Sequence, residues 1–478
     1  MTGSIPDGKM LLGGEWVGSS HRREVTNPYS GDTVGEVAEA GEAEVEAALA
    51  AAAAAAAQQR KVTAYDRQAT LLKAAELADA AAGSLGRLIA LETGKTIAEA
   101  LGEAERAGDL LRLAAFEGTQ LYGSSLPLDA HRGAGLSKLA FTVRQPCGVV
   151  VAITPFNYPV LLVLHKLAPA IAAGNAVILK PAGATPLTAL ALASILLEAG
   201  LPDGMLSVLP GSGAKLGPLL CADQRVRKIS FTGSTDVGTQ ITRCAGVKRL
   251  SLELGASCPV VVLRDADVEF AAKTVAVGGY VNAGQVCISA QRVIVDRRRE
   301  SEFVDALLPA VAAIRTGDPL SRDTTMGTMI NEGEAARVTE AIKHAVEGGA
   351  QLLCGGERDG ATVQAAVLTN VDPASGFSRS ELFGPAVAVS TAESAEEAIR
   401  LANDSPYGLG AGLFTTDISR AVAFARDVDA GNIHINWSPL WRADLMPYGG
   451  LKGSGLGKEG PRAAVAEMTE EKTVVLHG

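Results

Sequence analysis

The chain has 478 residues, 47% of them hydrophobic and 20% charged, with a formal net charge of −10. That length exceeds one ordinary compact core and predicts two or three domains at roughly 100–200 residues each, while the composition excludes a disordered chain. The acidic balance argues against nucleic acid, whose phosphates need a basic surface, and leaves room only for a local basic pocket facing an anionic cofactor.

The first twenty residues lack a charged stretch followed by a long apolar core, so no export signal is expected. From Ala47 to Ala57 the chain is alanine throughout except for Leu49, preceded by Glu42, Glu44 and Glu46 and followed by Gln58–Lys61. Acidic residues first and basic residues last predict a helix aligned with its dipole. The run is too short and too weakly apolar to span a bilayer, and no membrane contact is expected. Six cysteines stand at 147, 221, 244, 258, 287 and 354, with no CxxC pair and no Cys/His cluster at zinc spacing. Neither a metal site nor a disulfide framework is implied, and the expected location is the cytoplasm.

From Gly148 short β-branched runs alternate with helical stretches. Strands are predicted over Gly148–Ile153, Ala176–Lys180, Leu206–Leu209, Val226–Phe231 and Arg249–Leu254, and helices over Leu161–Ala173, Pro186–Glu198, Leu216–Ala222 and Asp236–Cys244. Strands separated by helices mean βαβ units and a parallel sheet covered on both faces. Such sheets bind ligands at the carboxyl ends of their strands. Unusual residues cluster there: Thr154–Pro159, Lys180–Gly183, Gly211–Gly213, Thr232–Thr235 and Glu253–Gly255. A second α/β region follows, with a strand over Pro259–Leu263, a helix over Val268–Gly279 and a strand near Gln291–Val295. Ser124–Val143 is extended with alternating polarity, and Thr473–Leu476 reads as a short terminal strand. Such exposed strands invite pairing with another chain. The chain shows no internal repeat.

Three residue types carry candidate chemistry. Cys287 lies in Asn-Ala-Gly-Gln-Val-Cys-Ile-Ser, with Gly284 three residues before it to let backbone approach closely. A lone cysteine is more often a buried small hydrophobe than a nucleophile. Glu253 lies in Leu-Ser-Leu-Glu-Leu-Gly, on the opposite strand face from Leu250, Leu252 and Leu254. A carboxylate at the end of a covered strand needs a partner or a task, and a general base is one such task. Asn157 lies in Thr-Pro-Phe-Asn-Tyr-Pro. Turn asparagines usually serve backbone conformation, but a rigidly held amide N–H also stabilises an oxyanion. The cofactor signals are individually weak. Gly211-Ser-Gly213 with Gly217 is GxGxxxG rather than a dinucleotide fingerprint, and no GxxxxGK[ST] phosphate loop occurs. Phe231-Thr-Gly-Ser-Thr opens a helix, which suits phosphate as well as ordinary capping.

Taken together, TPFNYP, AGNAVILKPA, FTGST, LELG, NAGQVC, ELFGPAVAV and MPYGGLKGSGLGKEGPR, in that order, resemble the aldehyde dehydrogenase superfamily. The resemblance runs nearly end to end. It implies a Rossmann-like α/β cofactor domain (residues 1–123 and 144–253), a second α/β catalytic domain (254–445), and a small β oligomerisation arm (124–143 and 462–478). It implies a homodimer or homotetramer and NAD or NADP as cofactor. In such an enzyme Cys287 attacks an aldehyde carbonyl, and its own N–H and the Asn157 side chain hold the oxyanion. Hydride leaves for the nicotinamide, and Glu253 activates water against the resulting thioester.

For the cofactor, the resemblance assigns Lys180 to the adenosine ribose, close backbone approach to Gly213 and Gly217, and the pyrophosphate to Ser234, with Phe231 and Gly233 shaping that turn. Glu381 would bind the nicotinamide ribose, with Phe383, Thr154, Pro155 and Leu254 around the ring. Gly183 stands where NAD-preferring relatives often carry glutamate, which leaves NADP open. Ala256-Ser257 follows LELG in place of the usual glycine, which implies a base loop less free to move.

Candidate substrate residues are Tyr158, Trp437, Trp441 and Arg442. Arg442 suits an anionic group, or else a salt bridge with Asp444; Val286 stands where phosphate-handling relatives often carry arginine. The C-terminal part is similar to the lactaldehyde and non-phosphorylating glyceraldehyde-phosphate branch, so a small polar or anionic aldehyde is expected. The competing readings are an aromatic aldehyde, a CoA-acylating enzyme, disfavoured by Glu253, and an inactive binding homologue, disfavoured by the intact trio.

Overall fold

The computed structural model describes residues 8–59, 61–133 and 136–478. Two large sheets organise the chain. The first is built on β1 (Val149–Ile153), β2 (Ala176–Lys180), β3 (Leu206–Val208), β4 (Val226–Thr232) and β5 (Arg249–Glu253), all parallel. Its order is β3-β2-β1-β4-β5, extended by antiparallel strands at Met10–Leu12 beside β3 and Gly455–Leu456 beside β5. The crossovers run through α1 (Leu161–Ala172), α2 (Pro186–Glu198), α3 (Gly213–Ala222) and α4 (Thr235–Cys244).

The predicted α/β alternation is the one observed, with boundaries within a residue or two except at α3, which starts three residues early, at Gly213. β1 and β2 are almost wholly buried, as continuous apolar runs in a covered parallel sheet must be. The alanine-rich segment forms a helix over Glu42–Gln59 that buries Val45, Ala48, Leu49, Ala52 and Ala55 on one face; Arg60, in its expected basic end, lies outside the described residues. Among the described residues no helix is long and apolar enough to cross a membrane.

The chain leaves β1 in one direction to β2 and β3 and in the other to β4 and β5. The strand order therefore reverses between β1 and β4, and that crevice is where open α/β sheets take ligands. The second sheet contains β6 (Pro259–Val262) and β7 (Arg292–Asp296) among seven strands, six parallel and one, Gln351–Cys354, antiparallel at the edge. A helix, α5 (Val268–Tyr280), packs on it and leads into the Cys287 loop.

A third, three-stranded sheet pairs Lys138–Pro146 with Thr469–His477 over nine residues, from Thr469 opposite Pro146 to His477 opposite Lys138. Ser125–Leu126 pairs on its other side. The extended segment expected over 124–143 thus includes a short helical turn at Leu128–Ala130, and its residues 134 and 135 lie outside the described ones. The terminal strand is longer than the expected Thr473–Leu476.

Candidate active site

A cavity of ≈570 Å³ opens at the β1/β4 crevice and reaches the loop before β7; Cys287, Glu253 and Asn157 all line it. A volume of that order suits a small-molecule site.

The cysteine loop is built on unusual backbone. After α5, Asn282, Ala283 and Gly284 all have left-handed φ, at 52°, 52° and 70°. Such runs persist only where surroundings impose them. At Gly284 an added Cβ would lie 2.1 Å from the Gly384 carbonyl oxygen, so only glycine fits. Gln285 locks the turn: its Nε2 donates to the carbonyls of Asn282 (3.0 Å) and Thr328 (3.2 Å), and its Oε1 accepts from the Ile330 N–H (2.9 Å). This presents the Cys287 sulfur to the cavity, 3.1 Å from the Tyr448 hydroxyl. Burial pushes the thiol up to about 12, with the Tyr448 hydrogen bond and the Arg442 charge opposing it.

Asn157 is fixed from behind. Its Nδ2 donates to the Gln285 carbonyl at 2.9 Å, which uses one of two N–H groups and ties the β1 loop to the cysteine loop. Its carbonyl accepts from Lys95 Nζ at 2.8 Å. Lys95 is itself buried, paired with Glu103 at 2.7 Å and set 3.9 Å over the Tyr158 ring. The other Glu103 oxygen accepts from the N–H groups of Val160 and Leu161 at the start of α1. A buried ion pair thus clamps the whole Asn157–Leu161 segment, and removing one partner of such a pair costs about 3–5 kcal/mol.

Glu253 ends β5 with one buried oxygen lacking any hydrogen bond. Its other oxygen would lie 2.6 Å from a Cβ on Gly449, so that glycine makes room for it. Burial first, then the negative charge of Glu459, raises the Glu253 carboxyl well above its ordinary range. Glu459 behaves oppositely. Although burial opposes it, Lys166 at 2.9 Å and Arg442 at 3.4 Å hold it down at about 2. Two carboxyls in one site are therefore driven apart, one proton-holding and one ionised, which is how acid and base roles are divided. In the loop beyond, Ser257 Oγ donates to the Ser378 carbonyl at 2.8 Å, and the Ala256 N–H donates to Glu381 at 3.1 Å. Burial raises Glu381 to about 7.

Pro155, Tyr158, Gly233, Ser234, Leu254, Glu381, Phe383 and Arg442 line the same cavity. Ser234 caps α4, and the Gly233 N–H donates to the Glu253 carbonyl at 3.0 Å. The Phe231 ring packs where a Cβ on Gly233 would stand, 2.5 Å away. Phe383 meets Phe156 edge-on at 6.0 Å. Thr154 lies just behind, its N–H on the Lys180 carbonyl. Lys180, Gly183 and Gly213 form a separate group along the ends of β2 and β3, where Lys180 Nζ lies 3.5 Å from the place of a Gly213 Cβ. Gly217 sits within α3, where a Cβ would meet nothing within 4 Å, so the chain itself does not require glycine there.

Two substrate expectations are corrected. Trp437 and Trp441 do not line the cavity; they are 39% and 54% exposed and contact Phe270 and His434 instead. Nor does Arg442 pair with Asp444. Asp444 binds Arg106 at 2.6 Å and His165 at 3.4 Å, which together hold it near 2 despite burial. Arg442 instead lies 3.9 Å over the Tyr448 ring and points into the cavity with a buried Nε lacking a partner.

Sequence reasoning missed Tyr448, Glu459, Lys166, Arg106 and Lys95. Tyr448 and Glu459 stand in the MPYGGLKGSGLGKEGPR segment; Lys166 betrays itself only as a lysine beside His165 in a helix whose other residues are apolar.

The model of the aldehyde dehydrogenase family matches residues 16–474. The 3-sulfolactaldehyde dehydrogenase of Priestia aryabhattai is 43% identical, over 98% of each chain. Aldehyde dehydrogenase 21 from Physcomitrella patens, solved with the reaction product succinate, is 34% identical over 98% of each chain, at a TM-score of 0.95. The NADP-dependent glyceraldehyde-3-phosphate dehydrogenase from Bacillus halodurans, solved with NADP, is 34% identical over 98% of this chain and 99% of that one, at a TM-score of 0.96.

Proposed function

The chain belongs to the aldehyde dehydrogenase family, and from that premise we propose that it oxidises a short anionic aldehyde to its acid, with Cys287 as nucleophile and NAD or NADP as oxidant. The observation that carries this is one cavity lined by the Cys287 sulfur, the Glu253 carboxyl, the Asn157 amide and the guanidinium groups of Arg106, Arg337 and Arg442.

The residues fit a dinucleotide. The α4 N-terminus beyond Gly233, at Ser234–Asp236, offers N–H groups to a pyrophosphate, the buried Thr232 hydroxyl lacks a partner, and Lys180 and Glu381 would take the two riboses. A bound nicotinamide would supply the hydride acceptor.

The chain's own groups do the rest. Cys287 gives up its proton to solvent water and its sulfur bonds to the aldehyde carbon, whose oxygen becomes an alkoxide. The Asn157 N–H not committed to Gln285, with the Cys287 N–H, stabilises that alkoxide. Loss of hydride from the same carbon leaves a thioester on Cys287. Glu253, once ionised, takes a proton from water as the water oxygen attacks; the carbon–sulfur bond breaks and the carboxylic acid departs. Retention of this base favours water over CoA as acceptor.

Arg442 and Arg106 favour an anionic tail over a flat aromatic one, since both tryptophans face away. The relatives' names agree in kind: sulfolactaldehyde, succinate and glyceraldehyde-3-phosphate all carry an anion on a short chain. The domain division at 1–123 with 144–253, 254–445, and an arm of 124–143 with 462–478 belongs to the same proposal, the arm joining copies into a homodimer or homotetramer.

A panel of short aldehydes, neutral, aromatic and anionic, assayed for acid with either nucleotide and with or without CoA, tests the reading. Anionic members should give the highest kcat/KM without CoA, and Cys287→Ala should abolish acid formation. Undiminished turnover by that variant, or a CoA thioester as product, would refute it.

A further inference from the structure

We infer that Arg23 is a specificity-determining residue for the adenosine end of the cofactor and selects the dinucleotide bearing a 2′-phosphate. The inference rests on the dinucleotide reading above and adds a choice between its two forms.

In open α/β sheets the group near the end of the second strand reads the ribose: a carboxylate takes the 2′-hydroxyl, and an arginine takes a 2′-phosphate. Here that strand is β2, which ends at Lys180 and continues through Pro181 and Ala182 to Gly183. Gly183 offers no carboxylate. What stands beside it is a guanidinium. Arg23 comes from a separate hairpin that pairs Arg22–Thr26 with Thr33–Ala38. Its Nη2 donates to the Gly183 carbonyl at 2.5 Å, and its Nε donates to Glu39 at 2.9 Å. Its Nη1 has no hydrogen-bond partner among the described residues and lies 3.5 Å from where a Cβ on residue 183 would begin.

Charge and geometry agree. Two cations, Lys180 and Arg23, face the carboxylate of Glu39, and the buried Glu92 lies within electrostatic reach of Arg23. Burial and then the Arg23 charge lower the Lys180 ammonium to about 8, so the two cations sit close enough to oppose each other. A phosphate between them relieves that opposition. Glu39 engages Nε, which orients the guanidinium and leaves its outer edge for the ligand. The absence of a side chain at residue 183 keeps that edge open.

Fluorescence titration of the full chain with NADPH and NADH tests this without turnover, supported by displacement with 2′,5′-ADP and 5′-AMP. The wild type should bind NADPH more tightly, and 2′,5′-ADP should displace it better than 5′-AMP. Arg23→Gln should lower the NADPH:NADH affinity ratio about 10- to 100-fold, the effect of losing a hydrogen-bonded charge. Arg23→Lys should fall between, because it keeps the charge but loses the fork. Gly183→Glu should invert the preference by seating a carboxylate against Arg23. Tighter NADH binding by the wild type, or an Arg23→Gln ratio within twofold of it, would overturn the inference while leaving the dinucleotide reading standing. Failure of both nucleotides to bind would sink both.

Discussion

The Cys287 sulfur lies 3.1 Å from the Tyr448 hydroxyl, across a sequence separation of 161 residues. Burial raises the thiol to about 12, and this hydrogen bond is the largest opposing influence. Removing it should leave the thiolate less accessible still. Tyr448→Phe should slow iodoacetamide alkylation of Cys287 at fixed pH about tenfold, with a similar fall in kcat/KM, as expected for one lost hydrogen bond to a charged group. Alkylation at the wild-type rate would mean that the phenol plays no part in activating the sulfur.

Glu253 and Glu459 give a signed pH prediction. Glu253 is raised well above the carboxylate range by burial and by Glu459, so the ionised base accumulates only as pH rises. Thioester hydrolysis should therefore climb with pH and level off above that raised value. Glu459→Gln removes the repelling charge and frees Lys166 and Arg442 to attract Glu253, so the rising limb should move to lower pH by about one unit or more. Glu253→Gln should show a burst of reduced cofactor and then a steady rate about 10²- to 10⁴-fold lower. The burst is read by stopped-flow absorbance; a linear trace at the wild-type rate would discount Glu253 as base.

The first sheet, and the three polar residues Cys287, Glu253 and Asn157 that line one cavity, are the legible part of this chain. Covered parallel strands must be apolar on both faces, so β1 and β2 stand out as apolar runs rich in Val and Ile, and the polar residues at their ends are conspicuous against them. Lys166 is not legible in this way, because its partner Glu459 lies 293 residues along the chain and nothing local signals the pair. Lys95 and Glu103 are similar: their spacing of 8 suggests nothing about the Asn157 carbonyl they hold. The tryptophans mislead for the opposite reason. Large aromatics next to a functional arginine suggest a cavity wall, but a turn alternates the sides its residues face.

Arg442 is the guanidinium that faces both Tyr448 and Glu459 within the cavity. If it binds the anionic tail, Arg442→Met should penalise charged substrates selectively. The ratio of kcat/KM for succinic semialdehyde over propanal should fall about 10- to 100-fold, the range for hydrogen bonds to a charged group. Reading the ratio separates recognition from any general damage through Glu459, which would slow both aldehydes alike. An equal loss on both substrates would discard Arg442 as the anion ligand.

The strand Thr469–His477 forms one edge of the three-stranded sheet, and among the described residues no strand of its own chain pairs with its outer side. Val475 and Leu476, with Leu139 and Val143 on the neighbouring strand, are apolar yet 36–57% exposed. A nine-residue unpaired edge with exposed apolar side chains is a liability in a monomer and a natural seat for another chain. Deleting residues 473–478 removes five of the nine paired positions, from Thr473–Thr142 to His477–Lys138. What remains, residues 469–472, still covers the strand nearest the catalytic body, so the two large sheets should keep their fold. The truncated chain should sediment at a lower mass than the full one while retaining its helical circular dichroism. Unchanged mass with an unchanged spectrum would show that assembly, if any, uses another surface.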